Sequence, residues 1–250
     1  HVGDTTRSTI FDLDAQKMYS FDSKKKEADV YDLGALQAFQ DTDTQVVLAM
    51  AQPGDNAARM VRYLESGHVD GAIIISHHGP ELGRALANSW HPVVFVGDPE
   101  APGICYIDLD NAEAAETATK YLISRGCRRI GTITGPLDMN SGRRRLRGFE
   151  QAMAAAGLDD SLRVEGDYTA AGGRRVLELL ERAPDLDGIF VANDLMAVTA
   201  INLLKEAGRN VPEDVRVIGF DDSSAALQSS PPLTTMTNPV NAHTRLAGEL

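Results

Sequence analysis

The sequence has little cysteine, no long apolar run and no excess of positive charge. Two cysteines among 250 residues are too few for a disulfide framework or a zinc site, so we expect Cys105 and Cys127 to be buried thiols. Apolar runs such as Val46–Ala51 and Ala72–Ile75 are far shorter than the roughly 18–20 residues of a membrane helix. No charged and then apolar leader opens the chain, so we expect no secretory signal.

The chain is acidic, with 36 Asp and Glu against 24 Lys and Arg and a net charge of −12. Binding to a polyanion depends on clustered Lys and Arg, so the chain as a whole repels a nucleic-acid backbone. If the protein acts on nucleic acid, we expect the contact surface to lie outside these residues. The hydrophobic fraction of 43% with 24% charged residues excludes a wholly disordered chain.

From about residue 45 onward, short β-rich segments alternate with amphipathic helical segments. Near-continuous apolar strands joined by helices indicate parallel sheets covered on both faces, which is an α/β doubly wound fold. Glycines such as Gly126 and Gly157 are predicted to end helices. The predicted strands are 45–50, 71–75, 93–96, 104–107, 129–134, 188–192 and 215–220, and the predicted helices are 56–66, 80–88, 112–125, 142–156, 171–182, 195–207 and 240–250.

The first 45 residues fit this alternation poorly, and we assign only a weak helix over Leu33–Phe39 there. The string Ile10–Asp14 resembles the nucleophile strand of haloacid-dehalogenase-type phosphatases, with Gly219–Asp222 as an acidic metal motif. However, Ala15-Gln16 stands where that family has Gly-Thr. The sequence also has no phosphate-binding loop, His-Glu-x-x-His motif or nucleophile elbow. A phosphatase is therefore a remote alternative, and we expect a protein that is not an enzyme.

Polar residues follow three successive predicted strands, at the ends where ligands bind in open α/β sheets. The three groups are Asn193-Asp194, Asp221-Asp222, and the set Asp138, Asn140 and Ser141 that follows Gly135-Pro136. We expect these side chains to converge on one crevice. Capping of the next helix is the alternative role for Asn193 and Asp221, and each residue alone is consistent with either role.

Ser141 is a natural N-cap for a helix that carries several arginines near its start. Cations in a first turn oppose the helix dipole, at a cost of about 0.3–1 kcal/mol each. A solvated charged face explains Arg143 and Arg147, whereas Arg145 lies four residues before Phe149, toward the packed side. A guanidinium aimed into the crevice would hydrogen-bond ligand oxygens. We therefore interpret Arg145 as a ligand-binding residue, with a solvated face as the alternative.

An aromatic residue and two histidines complete the candidates. Tyr168 lies on a loop before a helix, where its ring could stack on a sugar while its hydroxyl stays in water. Closure of the core edge is the alternative role for this tyrosine. His77 and His78 follow another strand, but two adjacent histidines without a third ligand do not make a metal site. We expect them to be exposed loop histidines, and we expect no metal and no cofactor.

From Thr44 to Leu250 the sequence resembles the effector-binding core of the lactose-repressor (LacI) family of bacterial transcriptional regulators. Each matching segment is short, but their order and spacing together are specific. In chain order they are Asp70–Ile74, Asp110-Asn111 with the helix to Gly126, Ile130–Pro136, Ser141–Phe149, Phe190–Asp194, Val211–Val215, Val217–Asp222 and Pro232–Thr235.

The resemblance implies a periplasmic-binding-protein-like fold, in which two doubly wound parallel-sheet subdomains are joined by crossover strands and hold a small ligand between them. The N-terminal subdomain would comprise residues 1–108 and 238–250, with 1–44 atypical, and the C-terminal subdomain residues 109–237. The residues matching the family's effector contacts are Arg145, Asn193 and Asp221, with Tyr168 as the stacking aromatic and Ser141 and His77 as further candidates. Such groups suit a polyhydroxylated ligand. A sugar is expected, and a purine stays open.

The implied function is that of an effector-sensing domain in a cytoplasmic, dimeric, sugar-responsive repressor. Closure of the two subdomains would act allosterically on DNA through a headpiece that these residues do not include, because no helix-turn-helix or hinge sequence precedes the core. No membrane partner is expected. The alternative with the same fold is a periplasmic solute-binding protein of a sugar transporter.

Overall fold

The structure is a computed structural model that describes residues 7–12, 17–22 and 27–32 by their backbone, together with residues 57–75 and 77–249. The chain divides into two compact units. The first comprises His1–Asp55 and Val240–Leu250, and the second comprises Asn56–Pro239.

The first unit contains three antiparallel strands where the sequence predicted none. They are β1 (Arg7–Asp12), β2 (Lys17–Asp22) and β3 (Glu27–Asp32), which pair in the order β1-β2-β3. The register places Ile10 opposite Tyr19, and Tyr19 opposite Val30. Each of these strands has no more than two adjacent apolar residues between polar ones, so no longer apolar run marks the strands. The predicted helix 33–39 and strand 45–50 lie outside the described residues. The predicted C-terminal helix is α8 (Val240–Glu249).

The second unit contains two parallel sheets. The first has the order β4-β5-β6, formed by β4 (Ala72–Ile75), β5 (Val93–Val96) and β6 (Cys105–Ile107). It packs with α1 (Ala57–Glu65) and α2 (Glu81–Leu86). A small core fixes these elements through Leu64, Ile74, Leu86, Val93 and Phe95. Phe95 is fully buried at the centre of the middle strand.

The second sheet has five strands in the order β11-β10-β9-β7-β8, with every pairing parallel. Every residue of β7 and β9 is buried, as expected for a sheet covered on both faces. The strands are β7 (Ile130–Thr134), β8 (Arg163–Glu165), β9 (Gly188–Val191), β10 (Arg216–Asp221) and β11 (Thr234–Thr237). The α/β fold predicted from the sequence is confirmed.

Helices cover both faces of this sheet, and they are α3 (Asn111–Ser124), α4 (Asn140–Ala155), α5 (Val176–Arg182), α6 (Asp194–Glu206) and α7 (Ser224–Gln228). A six-residue 3₁₀ segment, Ala170–Arg175, precedes α5, where the sequence predicted one continuous helix. One hydrophobic cluster packs α5 and α6 against one face, and another packs α3 and α4 against the other. Cys127 is buried as expected, but Cys105 is exposed because it lies on β6, a strand at the edge of its sheet.

Candidate functional site

Arg145 is buried at the ends of the parallel strands, although it carries a charge. Its side chain leaves α4 and is 6% exposed. Its Nε donates to Asn111 Oδ1 at 2.9 Å, and its Nη1 donates to the carbonyl oxygen of Ala192, just after β9. Nη1 also lies 3.6 Å from Asp221 Oδ1. A buried guanidinium needs such partners, because an unpaired charge in this position would cost several kcal/mol.

Two aromatic rings flank the guanidinium. Its carbon lies 3.7 Å from the centroid of the Phe220 ring and 5.6 Å from that of Tyr168. Phe220 is fully buried in β10. The rings favour the cation over their faces and keep its plane fixed. Arg145 therefore presents its remaining N–H groups in one orientation.

Asp221 ends β10 and supplies the negative partner of Arg145. Its backbone has φ of +112°, a conformation uncommon for a residue with a side chain. Asn238 Nδ2 donates to Asp221 Oδ1 at 3.2 Å. Burial raises the pKa of the Asp221 carboxyl above its ordinary value, since the opposing effects of Arg145 and Asn238 are smaller. The carboxylate is thus partly desolvated and can accept further hydrogen bonds.

Tyr168 lies over the end of β7 with its hydroxyl engaged by protein. Its oxygen is 3.0 Å from Ser141 Oγ. The sequence predicted that this hydroxyl stays in water, whereas it meets another side chain of the protein. A Cβ placed on Gly135 would overlap the Tyr168 ring, which shows why the smallest residue follows β7. Burial raises the pKa of the Tyr168 hydroxyl. The backbone of Tyr168 has φ of +63°.

Asn193 acts as a helix cap and also holds Tyr168. Its Oδ1 accepts a hydrogen bond from Met196 N at 3.0 Å at the start of α6. Its Nδ2 donates to the carbonyl oxygen of Tyr168 at 2.8 Å. The capping role left open by the sequence is therefore real. The second bond fixes the loop that carries the aromatic ring.

Ser141 is not the N-cap that the sequence predicted. Helix α4 begins at Asn140, two residues before the predicted start, with Met139 in the N-cap position and no side-chain cap. Ser141 is thereby placed in the first turn, where its hydroxyl meets Tyr168. The extended backbone of Met139 defines the start of the helix, so backbone conformation rather than side-chain capping chemistry sets this boundary.

His77 lies in the loop after β4, a strand of the three-stranded parallel sheet. It is partly buried, whereas the sequence predicted an exposed loop histidine. Its Nε2 lies 3.1 Å from the carbonyl oxygen of Asp98, and its ring meets Phe95 edge-on at 5.0 Å. Burial lowers the pKa of His77, which favours the neutral ring. His78 is exposed as predicted and lies 2.8 Å from Asp138.

Polar contacts join loops of the two sheets beside this site. Gly79 N donates to the carbonyl oxygen of Asp138 at 3.0 Å, and His78 meets the side chain of the same residue. Arg143 pairs with Glu100 rather than simply facing solvent as predicted. We call these three contacts the rim. They connect the loops after β4 and β5 with the start of α4.

Three further residues of the site were not selected from the sequence. Asn111 and Asn238 hydrogen-bond to Arg145 and Asp221, and Asp108 bonds to Asn111. Their partners are separated from them by up to 34 positions in the chain. The sequence signal at Asp110-Asn111 indicated the start of α3, and it gave no sign of a contact with α4.

Within residues 57–75 and 77–249, no three His, Cys, Asp or Glu side chains are grouped closely enough to hold a metal ion. The helices in the described part of the chain are all too short or too polar to cross a membrane. The site therefore consists of a guanidinium, a carboxylate, amides, hydroxyls and aromatic rings. These groups can bind a ligand rich in hydroxyls.

Comparison with known proteins identifies the family. The model of the family described as "Periplasmic binding protein-like domain" matches residues 119–250, more than half of the chain. A curated relative, the HTH-type transcriptional regulator CelR of Thermobifida fusca, is 41% identical over 214 residues, which are 83% of this chain and 63% of the relative. The ribose operon repressor of Escherichia coli K12 is 36% identical over 201 residues, 77% of this chain and 61% of that protein.

A solved structure titled as a complex of the transcriptional regulator CelR with cellobiose superimposes with a TM-score of 0.78 at 38% identity, covering 86% of this chain and 68% of that one. The chain spans about three fifths of the length of the curated relatives it matches. These relatives are named as transcriptional regulators or repressors. The chain belongs to the LacI family of transcriptional regulators, within the periplasmic-binding-protein-like fold.

Proposed function

We propose that this chain is the effector-sensing domain of a transcriptional regulator and that it binds an uncharged sugar at Arg145 and Asp221. The observation that carries this proposal is a donor and an acceptor side by side. Arg145 Nη2 and Asp221 Oδ2 have no hydrogen bond to any residue that the structure describes, while the other polar atoms of both side chains do.

A hydroxyl group fits this pair because it can accept from the guanidinium and donate to the carboxylate at once. Two neighbouring hydroxyls on a sugar ring would serve both residues with charge-assisted hydrogen bonds, which are about twice as strong as neutral ones. Tyr168 supplies an aromatic face for the ring's C–H groups. Ser141 and Asn193 hold Tyr168 in place, and we propose both as binding residues by this route.

The charges around the site favour a neutral ligand. Arg145 is already paired with Asp221, and the carboxylates of Asp108 and Asp98 lie in the adjoining loops. A phosphorylated or acidic sugar would meet this excess of negative charge without a cation of its own. His77, which is mostly neutral because of its burial, offers a further polar contact from the side of the first sheet.

The relatives support this function. One solved relative is titled as a complex with cellobiose, and one curated relative is named for the ribose operon. We propose that the regulator is cytoplasmic and homodimeric and that it reports effector binding to DNA through a helix-turn-helix segment of the kind named for CelR. The charge of −12 fits a domain that leaves DNA contact to another segment.

We also propose that the subdomains are residues 1–108 with 238–250 and residues 109–237. In support of the boundary at 108/109, β6 of the first parallel sheet ends at Ile107 and α3, which packs on the second, begins at Asn111. Closure would then be a hinge motion about residues 108–110 and the segment near Asn238.

Isothermal titration calorimetry tests the proposal. The panel contains cellobiose, ribose, glucose 6-phosphate and the purine base hypoxanthine. We expect saturable binding of a neutral sugar, with cellobiose the first choice, and at least about ten-fold weaker binding of the phosphorylated sugar. Binding of the purine alone, or of the phosphorylated sugar in preference to both neutral sugars, would contradict the proposed ligand class.

A further inference from the structure

Two asparagines, one beside and one within a segment that connects elements of the fold, hydrogen-bond to the Arg145–Asp221 pair. Residues 108–110 connect β6 of the first sheet with α3, and residues 238–239 connect β11 with α8. Asn111 directly follows the first segment, and Asn238 belongs to the second. We call these the connecting segments.

Asn111 joins Arg145 to the first connecting segment. It is 1% exposed, and its Oδ1 accepts from Arg145 Nε at 2.9 Å. Its Nδ2 donates to Asp108 Oδ1 at 3.0 Å and to the carbonyl oxygen of Leu109 at 3.4 Å. A guanidinium only donates and a carboxylate only accepts, so these partners fix the orientation of the amide. The Asn111 amide therefore bonds to Arg145 through its oxygen and to the first connecting segment through its nitrogen.

The connection continues to the first sheet. Asp108 Oδ2 accepts from Asp98 N at 3.2 Å, in the loop after β5. The carbonyl oxygen of Asp98 in turn lies 3.1 Å from His77 Nε2. Hydrogen bonds therefore run without a gap from His77 through Asp98, Asp108 and Asn111 to Arg145.

Asn238 makes the matching connection on the second segment. Its Nδ2 donates to Asp221 Oδ1 at 3.2 Å, and its backbone N–H donates to the carbonyl oxygen of Asp221 at 3.4 Å. Here too the carboxylate requires the amide nitrogen to face it. One amide is bonded to the cation of the pair and the other to the anion.

Asn111 is not needed to start its helix. Asp110 is the N-cap of α3, and its Oδ1 accepts from Ala112 N and Glu113 N, both at 3.1 Å. The Asn111 side chain is thus available for a separate role. The Asn111 side chain is almost fully buried, and it is long enough to hydrogen-bond to Arg145 of α4 and to Asp108 at the same time.

We propose that Asn111 and Asn238 are positioning residues that couple the effector-contacting pair to the two connecting segments. The identity of the effector in this inference rests on the proposed function. A ligand that draws Arg145 or Asp221 toward itself changes the hydrogen-bond geometry at both segments. Rotation of the backbone at residues 108–110 changes how the two parallel sheets of the second unit face each other, which is how hinge closure proceeds.

NMR without any ligand tests whether the hydrogen bond from Arg145 to Asn111 keeps the guanidinium in place. The Arg145 Nε–H resonance is assigned by its loss in Arg145→Lys, and its exchange with solvent is measured in each variant. We expect slow exchange in the wild type, exchange at least about ten-fold faster in Asn111→Leu, and nearly unchanged exchange in Asn111→Asp, which keeps the acceptor. Unchanged exchange in Asn111→Leu would overturn the assignment of Asn111.

The coupling is tested by amide hydrogen exchange with and without cellobiose. In the wild type we expect binding to slow exchange at residues 107–111 and 237–238. Asn111→Asp loses the donor to Asp108, so at saturating cellobiose it should lose the change at 107–111. Asn238→Ala should lose the change at 237–238. Asn210→Ala is the matched control, because Asn210 Nδ2 donates to Asp214 at 3.0 Å on an exposed surface.

Wild-type protection patterns in both Asn111→Asp and Asn238→Ala would overturn the coupling. Failure of the wild-type chain to bind either cellobiose or ribose counts against the proposed function instead. The Arg145 Nε–H exchange needs no sugar, so it still decides whether Asn111 positions Arg145.

Discussion

The guanidinium of Arg145 lies over the ring of Phe220, with 3.7 Å between its carbon and the ring centroid. The next residue, Asp221, is the carboxylate that pairs with the same guanidinium. Strand β10 thus delivers an aromatic platform and a counter-ion on successive residues, one pointing into the core and one at the strand end. This arrangement lets a buried cation keep a fixed orientation toward a ligand.

Replacing Phe220 by Leu removes the ring and keeps an apolar side chain. A desolvated cation–π contact is worth about 1–2 kcal/mol, so we expect coupling of that size between Phe220→Leu and Arg145→Met. Urea unfolding of the two single variants and the double variant measures it. Phe190→Leu is the control, since Phe190 is also buried and its ring packs edge-on against that of Phe220, with 6.5 Å between the ring centroids. Equal coupling for both phenylalanines would contradict the contact's importance.

The raised pKa of Asp221 gives sugar binding a defined pH dependence. As pH falls through this raised pKa, the carboxylate gains a proton and its charge-assisted bonds to ligand hydroxyls weaken. We therefore expect cellobiose affinity to fall between about pH 7 and pH 4, starting above the pKa of an ordinary Asp. Calorimetry across this range should show the effect in wild type and in Asp222→Asn, but not in Asp221→Asn.

The same titration affects folding with the opposite sign. A carboxyl whose pKa is raised in the folded state stabilises that state below its unfolded pKa, and this contribution is lost as pH rises through the folded pKa. The stability of wild type relative to Asp221→Asn should therefore decline as pH rises from about 4 to 7. A parallel pH dependence of unfolding in the two proteins would contradict the assigned direction.

Gly135→Ala tests whether the missing side chain at Gly135 leaves the space that the Tyr168 ring occupies. The added methyl group would overlap the Tyr168 ring, so the ring must move and its bond to Ser141 must break. We expect cellobiose binding to weaken at least about ten-fold and the unfolding free energy to fall by about 1–3 kcal/mol. In a Tyr168→Ala background the same methyl group has room, so its cost to stability should largely disappear. An equal cost in both backgrounds would contradict the proposed clash.

The rim should matter little for affinity. Arg143 and Glu100 are each about two fifths exposed, and His78 and Asp138 are more exposed still. Exposed pairs contribute about 0–1 kcal/mol, so Glu100→Gln and Asp138→Asn should each change the cellobiose Kd by less than about five-fold. Glu178→Gln, which breaks the exposed pair with Arg175, is the control. A change above about ten-fold would place the main binding energy at the rim.

The sequence did not predict β8 and β11, which are short, mostly polar strands at the two edges of the five-stranded sheet. It predicted the other six parallel strands, because these strands are largely apolar and the helices between them end at glycines. Gly126, for example, has φ of +94° directly after α3. It also did not predict β1–β3, each of which has no more than two adjacent apolar residues. It also placed the N-cap of α4 at Ser141, because a serine side chain was expected to cap the helix, whereas the extended Met139 occupies the N-cap position.

For the site, the position of Arg145 four residues before Phe149 indicated a buried face, and both side chains are buried. The partners that hold Arg145 were beyond reach of the sequence. Asn111 lies on another helix and Asn238 follows another strand, and only the packing of α3 on α4 and of β11 beside β10 brings them to the pair. Local patterns identify which residue turns inward, and tertiary contacts decide what it meets there.

The central claim is that Arg145 contacts the effector, and cellobiose calorimetry on two neighbouring variants tests it most directly. Arg145→Met removes the buried guanidinium, and Arg144→Met removes an exposed one from the same turn of α4. Loss of one or two charge-assisted hydrogen bonds predicts at least about 20-fold weaker binding for Arg145→Met, with Arg144→Met equal to wild type. Binding by a folded Arg145→Met within about three-fold of wild type would contradict the account.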